Sequence, residues 1–212
     1  MSFFDFLAAN RAAMLTRTLE HLGLVGLSVL IAISVGVPLG IMITRRAGLR
    51  GPVLGFANVF QTIPSLALFG FLIPLPLLGG IGARSAVVAL VVYALLPIIR
   101  NTYTGISEVD GAVTEAARGM GMTDREILRM VELPLAAPVI LAGIRIATVV
   151  GVGVATIAAA IGAGGLGVFI FQGLARVDTV TIMAGAVPAA LMALALDGGL
   201  HLLERRLDWR RK

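Results

Sequence analysis

The side chains that could take part in catalysis are few in this sequence. There is no cysteine, which excludes disulfides, thiolate metal sites and cysteine nucleophiles. His21 and His201 have no companion at metal-ligand or triad spacing, and no His-Glu-x-x-His pattern occurs. The glycine-rich run 161–167 lacks the Gly-Lys-Ser/Thr ending of a nucleotide-binding P-loop. We therefore expect a chain that is not an enzyme and holds no metal or cofactor of its own, with both histidines at membrane interfaces.

The composition is that of a membrane protein. Hydrophobic residues make up 58% of the 212 positions, charged residues only 14%, and the mean hydropathy is +0.98. A soluble domain of this length cannot bury so much apolar surface, so the expected environment is a lipid bilayer. A net charge of +5 would suggest a nucleic-acid partner in a soluble protein. In a membrane protein the sidedness of the arginines matters more, and no nucleic-acid partner is expected.

Charge-free stretches predict an all-α, polytopic membrane protein with about five transmembrane helices. Residues 22–44 are 23 uncharged positions, enough to cross a hydrocarbon core of ~30 Å. The other predicted spans are residues 53–72, 85–99, 136–161 and 180–203. The third is short, so Arg84 and Arg100 must extend towards either surface for it to cross.

The two ends of the chain are predicted to lie at membrane surfaces. Residues 1–21 mix aromatic and charged side chains, which favours an amphipathic interfacial helix, either a gate or protein contact, or a simple anchor. Residues 204–212 form a basic tail, with Trp209 near the interface. Between them lies one transmembrane domain, 22–203, which includes a cytoplasmic loop, 101–134.

The longest charge-bearing segment between apolar runs, 113–134, predicts a docking surface outside the membrane. Four apolar residues at spacing i, i+3, i+4 and i+7 form a stripe on a short helix: Val113, Ala116, Ala117 and Met120. Gly121 is the expected stop of this helix. Thr123 and Glu126 form a capping-box pattern, so a second short helix is expected to begin there.

This segment resembles the cytoplasmic "EAA" loop of binding-protein-dependent ABC importer permeases. The matching positions are Glu115, Ala116, Ala117, Gly121, Val131, Glu132, Leu133 and Pro134, and only Val131 departs from the usual Ile. In that family the loop forms the coupling helices that seat in a groove of the ATP-hydrolysing subunit. The resemblance runs from about residue 20 to 205 and implies a permease fold of the methionine-importer type.

The resemblance also implies an assembly in the bacterial inner membrane. It would comprise two permease subunits, the same or homologous, two ATPase subunits that hold ATP and Mg²⁺, and an extracytoplasmic binding protein. Within the family, the five-span layout, the residues Gln61 to Ser65 and the run G-A-G-G-L-G most resemble permeases for quaternary-ammonium osmoprotectants such as glycine betaine, choline and carnitine. An amino-acid importer of the methionine type is the nearest alternative. A channel or an intramembrane enzyme is a further one.

Polar residues and a proline interrupt the second predicted span near its middle: Gln61, Thr62, Pro64 and Ser65. Backbone groups freed by a proline must be satisfied by neighbouring helices or by a water-lined cavity. One interpretation is that this segment lines the translocation path. The other is a tolerated proline kink whose hydroxyl groups only contribute to packing.

Two charged residues fall within predicted spans. Arg145 lies in the fourth span, where a charge costs at least ~2.5 kcal/mol unless it is paired or hydrated. Asp197, at a compatible depth in the fifth span, could pair with it, or both could face a water-filled vestibule. Alternatively, the span begins later and Arg145 lies at a raised cytoplasmic surface.

The glycine run between the fourth and fifth spans is expected to permit close backbone packing or a re-entrant bend near the outer mouth. Sidedness follows from the basic residues, because cytoplasmic loops carry an excess of Lys and Arg. With the N-terminus outside and the C-terminus in the cytoplasm, 12 of the 17 basic residues are cytoplasmic. They are Arg45, Arg46, Arg50, Arg100, Arg118, Arg125, Arg129, Arg205, Arg206, Arg210, Arg211 and Lys212.

Overall fold

The computed structural model describes residues 2–207, and the regular secondary structure within them is helical. The helices are α1 (Phe3–Ala9), α2 (Arg11–Arg45), α3 (Ala47–Thr62), α4 (Ser65–Leu72), α5 (Ala83–Ser107), α6 (Gly111–Gly119), α7 (Asp124–Ile127), α8 (Leu133–Ala158), α9 (Gly167–Arg176) and α10 (Thr179–Leu207). A π turn, Leu128–Glu132, joins α7 to α8, and a 3₁₀ turn, Ala159–Ile161, follows α8. Residues 208–212, including Trp209, lie outside the described part of the chain.

Four helical segments between residues 2 and 207 are long and apolar enough to cross a membrane. They are α2, α5, the continuous segment from α7 to the 3₁₀ turn, and α10. The bent pair of α3 and α4 makes a fifth span if it is taken as one. The prediction of an all-α protein with about five spans is therefore confirmed.

The bundle is centred on α5, which packs against both α2 and α8. Small residues allow these helices to approach closely, as is usual between membrane helices. A methyl group at Gly40 in α2 would lie 2.5 Å from Cβ of Thr102 in α5. A methyl group at Gly143 in α8 would lie 2.6 Å from Cβ of Asn101 in α5. Glycine is thus required on both sides of α5.

The second predicted span, 53–72, is broken and not merely kinked. The axes of α3 and α4 differ by 102°. Ile63 has an extended backbone, because Pro64 disfavours the helical conformation in the residue before it. The Tyr93 hydroxyl of α5 donates a hydrogen bond to the Ile63 carbonyl that the break leaves free. A contact with another helix therefore stabilises the bend.

Two predicted helix bounds are wrong. The first spanning helix begins at Arg11, so residues 11–21 continue into it and do not form a separate interfacial helix. Two of the charged side chains in this stretch pair with each other, since Arg17 donates to the Glu20 carboxylate at 2.8 Å. His21 is wholly buried within the bundle. The third span, predicted to end at residue 99, continues to Ser107, so the loop predicted at 101–134 begins about two helical turns later than expected.

Candidate functional site

Helix α6 ends in the way that the sequence predicted. Gly121 has φ of +84°, a left-handed conformation that glycine adopts without strain. The Gly121 N–H donates to the Arg118 carbonyl at 2.9 Å, and the Met122 N–H donates to the Ala117 carbonyl at 3.2 Å. These two bonds form a Schellman motif, which satisfies the last carbonyls of the helix and reverses the chain.

Helix α7 begins with the predicted capping box. The Thr123 N–H donates to the Glu126 carboxylate at 2.8 Å, and the Glu126 N–H donates to the Thr123 hydroxyl at 3.4 Å. The second helix of the hairpin is not a separate element, however, and that expectation is corrected. It continues through the π turn into α8, so that residues 124–161 form one continuous helical segment.

The π turn has a local cause in Pro134. Proline has no N–H to donate, and its ring clashes with the carbonyl four residues earlier in a regular helix. The Leu133 N–H instead bonds to the Leu128 carbonyl, five residues earlier, which widens the helix at this point. Leu133 and Pro134 therefore join the docking segment rigidly to a membrane-crossing helix.

An ion pair attaches this turn to the rest of the bundle. Arg45, the last residue of α2, donates to the carboxylate of Glu132, which is 5% exposed. Sequence reasoning used Arg45 only to assign sidedness and did not find the pair. A charge at position 132, between Val131 and Leu133 in a largely apolar stretch, was the available signal for a buried partner.

The hairpin exposes four apolar side chains and the Glu115 carboxylate. We call this set the coupling surface and define it as Val113, Glu115, Ala116, Met120 and Met130. Met120 is 76% exposed and Met130 68%. Of the predicted apolar stripe, only Ala117 is buried in this chain, at 2% exposure. The remaining stripe is available to a partner, as expected of a docking surface.

The four residues predicted to line a path lie at the broken span. The Gln61 amide donates to the Tyr93 carbonyl at 2.6 Å, and the Thr62 hydroxyl donates to the Val59 carbonyl at 2.7 Å. Pro64 and Ser65 begin α4, with Pro64 exposed and Ser65 half-buried.

A cavity of about 260 Å³ lies beside the broken span, between α3, α5 and α8. Its polar lining consists of Gln61, Arg100 and Asn101, and Ile146 and Val150 are among its apolar lining residues. Polar groups from α3 and α5 thus meet an apolar face of α8.

Arg145 and Asp197 lie within ion-pair distance, with Nε and Oδ1 3.2 Å apart. Arg145 also contacts the Glu204 carboxylate at 3.0 Å and Nδ1 of His201 at 2.7 Å. Its side chain is 27% exposed. One arginine of α8 is therefore surrounded by three polar partners of α10, two of which the sequence did not indicate.

A family model decides what kind of protein this fold and hairpin belong to. Residues 36–210 match the model described as "Binding-protein-dependent transport system inner membrane component". The chain belongs to this family. Membership agrees with the exposed coupling surface, and it favours a permease over the channel and the intramembrane enzyme that the sequence left as alternatives.

The proteins to which this permease is similar include permeases named for osmoprotectants. It is 47% identical over 206 residues to the osmoprotectant import permease protein OsmW of Salmonella typhimurium, covering 96% of each chain. It is 46% identical over 202 residues to the glycine betaine/carnitine/choline transport system permease protein OpuCB of Bacillus subtilis, covering 95% of this chain and 92% of that protein. The fold is similar to that of the MetNI methionine ABC transporter in an inward-facing conformation. The TM-score is 0.82 at 28% identity, over 92% of this chain and 96% of that one. The predicted methionine-importer-type fold is confirmed.

Proposed function

We propose that this permease is the membrane-spanning subunit of an ATP-driven importer for quaternary-ammonium osmoprotectants such as glycine betaine, choline and carnitine. The observation that carries the substrate class is the identity of 46–47% to permeases named for osmoprotectants. Identity to the methionine transporter is lower, at 28%. An amino-acid importer of the methionine type is therefore the second candidate.

The coupling surface supports the proposed partnership with ATPase subunits. Its exposed apolar side chains lie on a hairpin that is fixed to α8 at Pro134 and to α2 by the Arg45–Glu132 pair. ATP and Mg²⁺ would be held by two such ATPase subunits. Their closure would push two coupling surfaces together and turn the path outward, and hydrolysis would reset it.

The proposed assembly contains a second permease subunit, identical or homologous, and an extracytoplasmic binding protein. In the bacterial inner membrane, the N-terminus would lie outside and the C-terminus in the cytoplasm, which follows from the distribution of basic residues.

The permease itself is proposed to select its substrate weakly. A quaternary ammonium group is best held by an aromatic cage. Of the two tyrosines, Tyr103 already has a cation at its ring, since the Arg50 guanidinium lies 4.5 Å from the ring centroid, and the Tyr93 hydroxyl bonds to the Ile63 carbonyl at the broken span. Selection is therefore assigned to the binding protein.

The broken span is proposed to line the translocation path, together with the neighbouring cavity of α5 and α8. A Ser65→Cys protein tests this directly, because the chain has no other cysteine. Reaction with a bulky thiol reagent should block uptake. Full labelling with unchanged uptake would reject the path assignment.

Co-purification tests the ATPase partnership. The chain is tagged, extracted in mild detergent and compared with two variants, Ala116→Arg on the coupling surface and Ala12→Arg in the first turn of α2. Both positions are exposed, and both variants add the same charge. We expect an ATP-binding subunit to be retained by the unmodified chain and by Ala12→Arg and to be lost from Ala116→Arg. If all three well-folded proteins are isolated without an ATPase, the proposal fails.

Uptake assays distinguish the two candidate substrates. The complete transporter, reconstituted with its binding protein, should accumulate radiolabelled glycine betaine, choline or carnitine in an ATP-dependent way. Excess methionine should not compete. Uptake of methionine without uptake of any quaternary ammonium compound would favour the second candidate.

A further inference from the structure

Two adjacent residues of α2 hold the loop that precedes α9. The Glu20 carboxylate accepts the Gly165 N–H at 2.9 Å, and Nδ1 of His21 accepts the Leu166 N–H at 3.3 Å. The other ring nitrogen of His21, Nε2, lies 3.1 Å from the Val152 carbonyl oxygen in α8. Helix α2, helix α8 and the loop before α9 therefore meet at one pair of side chains.

The hydrogen bonds of His21 are compatible with one tautomer. The Leu166 N–H can only donate, so Nδ1 must accept, and the Val152 carbonyl can only accept, so Nε2 must carry the hydrogen. The neutral ring satisfies both partners. Because His21 is wholly buried, no water can replace either bond if the side chain is changed.

Glu20 and His21 bond to the two residues immediately before the first turn of α9, Gly165 and Leu166. Leu166 is the N-cap residue of α9, and no side-chain hydrogen bond from the loop itself caps this helix. The two side chains of α2 supply acceptors immediately before α9, and the Glu20 charge lies near the positive end of its dipole.

The glycines of the loop make room for this contact. A methyl group at Gly164 would lie 2.5 Å from Oε2 of Glu20, and one at Gly165 would lie 3.1 Å from Nδ1 of His21. Both glycines also have positive φ, +81° and +78°. The run G-A-G-G-L-G and the pair Glu20–His21 therefore form one structural unit.

We propose that Glu20 and His21 are positioning residues that latch α9 to α2 and α8, and that transport depends on this latch. The inference rests on the proposed transport function. The latch lies at the far end of the bundle, the end opposite the coupling surface. Since α9 packs against α8 and α10, its position sets the arrangement of two membrane-crossing helices there.

Two substitutions of His21 test whether its hydrogen bonds, and not only its packing, hold the loop. His21→Asn places an amide oxygen near the position of Nδ1 and keeps an acceptor for Leu166. His21→Gln places an amide nitrogen near the position of Nε2 and keeps a donor for Val152. The two variants are alike in polarity, so a merely structural role predicts similar behaviour.

Loop release is measured by cysteine labelling and transport by uptake kinetics. Ala163→Cys puts a single, half-buried thiol in the loop, since the chain has no cysteine. We expect His21→Gln to raise its labelling rate by a water-soluble maleimide about fivefold, the effect of losing one hydrogen bond. The same variant should lower the maximal rate of uptake without changing KM for the loaded binding protein. His21→Asn keeps the bond to Leu166 that holds the loop, so its labelling rate and maximal uptake rate should lie closer to those of the unmodified protein than the rates of His21→Gln do.

Equal labelling and equal uptake in the two His21 variants would overturn the latch. If either variant fails to enter the membrane, Glu20→Gln and Glu20→Leu take their place, because the Glu20 side chain is 37% exposed and more tolerant of change. Gln retains an acceptor for Gly165 and Leu does not, so only Glu20→Leu should release the loop. Absence of all osmoprotectant uptake by the unmodified protein would instead overturn the proposed function, while labelling still decides whether the loop is latched.

Discussion

Arg45 and Glu132 form an ion pair between residues 87 positions apart, and the pair is unequal in its access to water. The Arg45 side chain is 41% exposed, whereas the Glu132 side chain is 7% exposed. Loss of one partner therefore has a different consequence from loss of the other.

We expect Arg45→Ala to destabilise the permease more than Glu132→Gln. The first leaves a buried carboxylate without a cation, at a cost of about 3 kcal/mol. The second leaves an arginine that can reach water, at a cost of about 1 kcal/mol. Thermal unfolding in detergent measures the difference, and the double variant should regain most of the stability lost in Arg45→Ala. If Arg45→Ala unfolds no earlier than Glu132→Gln, the proposed asymmetry is wrong.

The turn at Gly121 should be essential for coupling. Gly121→Asp puts a side chain on a backbone with φ of +84°, although a methyl group there meets no atom within 4 Å. The defect would thus lie in the turn and not in packing, and we expect normal membrane insertion without uptake. Gly119→Asp is the matched control, because it adds the same charge to the end of α6 in open space without a positive φ. Normal uptake by Gly121→Asp would reject the assignment of this hairpin, and equal loss in both variants would reject the turn as its cause.

Helix packing around α5 should be sensitive to single methyl groups. Gly40→Ala introduces a methyl group 2.5 Å from Cβ of Thr102 and should destabilise the bundle by about 1–3 kcal/mol. Gly26→Ala, in the same helix, meets no atom within 4 Å and should be neutral or stabilising by about 0.5–1 kcal/mol. Apparent unfolding temperatures of the two variants provide the comparison. Similar shifts in both would contradict the close approach of α2 and α5.

The contributions of Arg145, Asp197 and Glu204 to the stability of the permease should depend on one another. Because Arg145 contacts both Asp197 and Glu204, exchanging the charges of Arg145 and Asp197 should restore only part of the stability, since the new carboxylate at 145 faces Glu204. Combining the exchange with Glu204→Gln should restore more. Unfolding temperatures of the single, double and triple variants test this order. The decisive comparison is made in proteins that also carry Glu204→Gln. If the charge-exchanged protein is then no more stable than either single variant, Arg145 and Asp197 do not pair.

The stability of the first turn of α10 should depend on pH. A hydrogen bond from the Thr181 hydroxyl, followed by bonds from backbone N–H groups, lowers the pKa of Asp178 below its ordinary value of 3.8. Because the folded pKa is depressed, the stabilisation is present above the unfolded pKa and is lost as pH falls through the folded pKa. The protection of the first turn of α10 against hydrogen exchange, relative to the intrinsic exchange rate at each pH, should therefore fall below about pH 4. Asp178→Asn should remove this dependence, and an unchanged acid response in that variant would contradict it.

Local signals predicted the coupling hairpin well, and the reasons are physical. Gly121 and the Thr123–Glu126 pair act through hydrogen bonds to backbone groups within five residues, so the sequence itself contains both partners. The break at Pro64 was visible for the same reason. Its angle was not, because the bend is stabilised by Tyr93, thirty residues further along the chain.

Helix bounds predicted from charged residues were wrong where the partners of those residues lie far away in the sequence. The charged residues of segment 1–21 were taken to favour an interfacial helix, yet one of them, Glu20, lies in the spanning helix α2, and its carboxylate bonds to Gly165, 145 residues later. Arg100 was taken to end a span, yet it donates to Asn58 at 3.3 Å while α5 continues. A charged side chain marks a helix end only if water is its sole available partner, and one sequence does not reveal the others.

The continuous helical segment 124–161 has a mechanical consequence. At 1.5 Å per residue its 38 residues form a rod of about 57 Å. One end carries Met130 of the coupling surface, and the other leads directly into the loop that Glu20 and His21 hold. We expect a displacement of the docking hairpin to reach the glycine loop through this one segment. The π turn, where Arg45 bonds to Glu132, and Pro138 are the two places at which the segment would bend and so reduce the displacement that arrives.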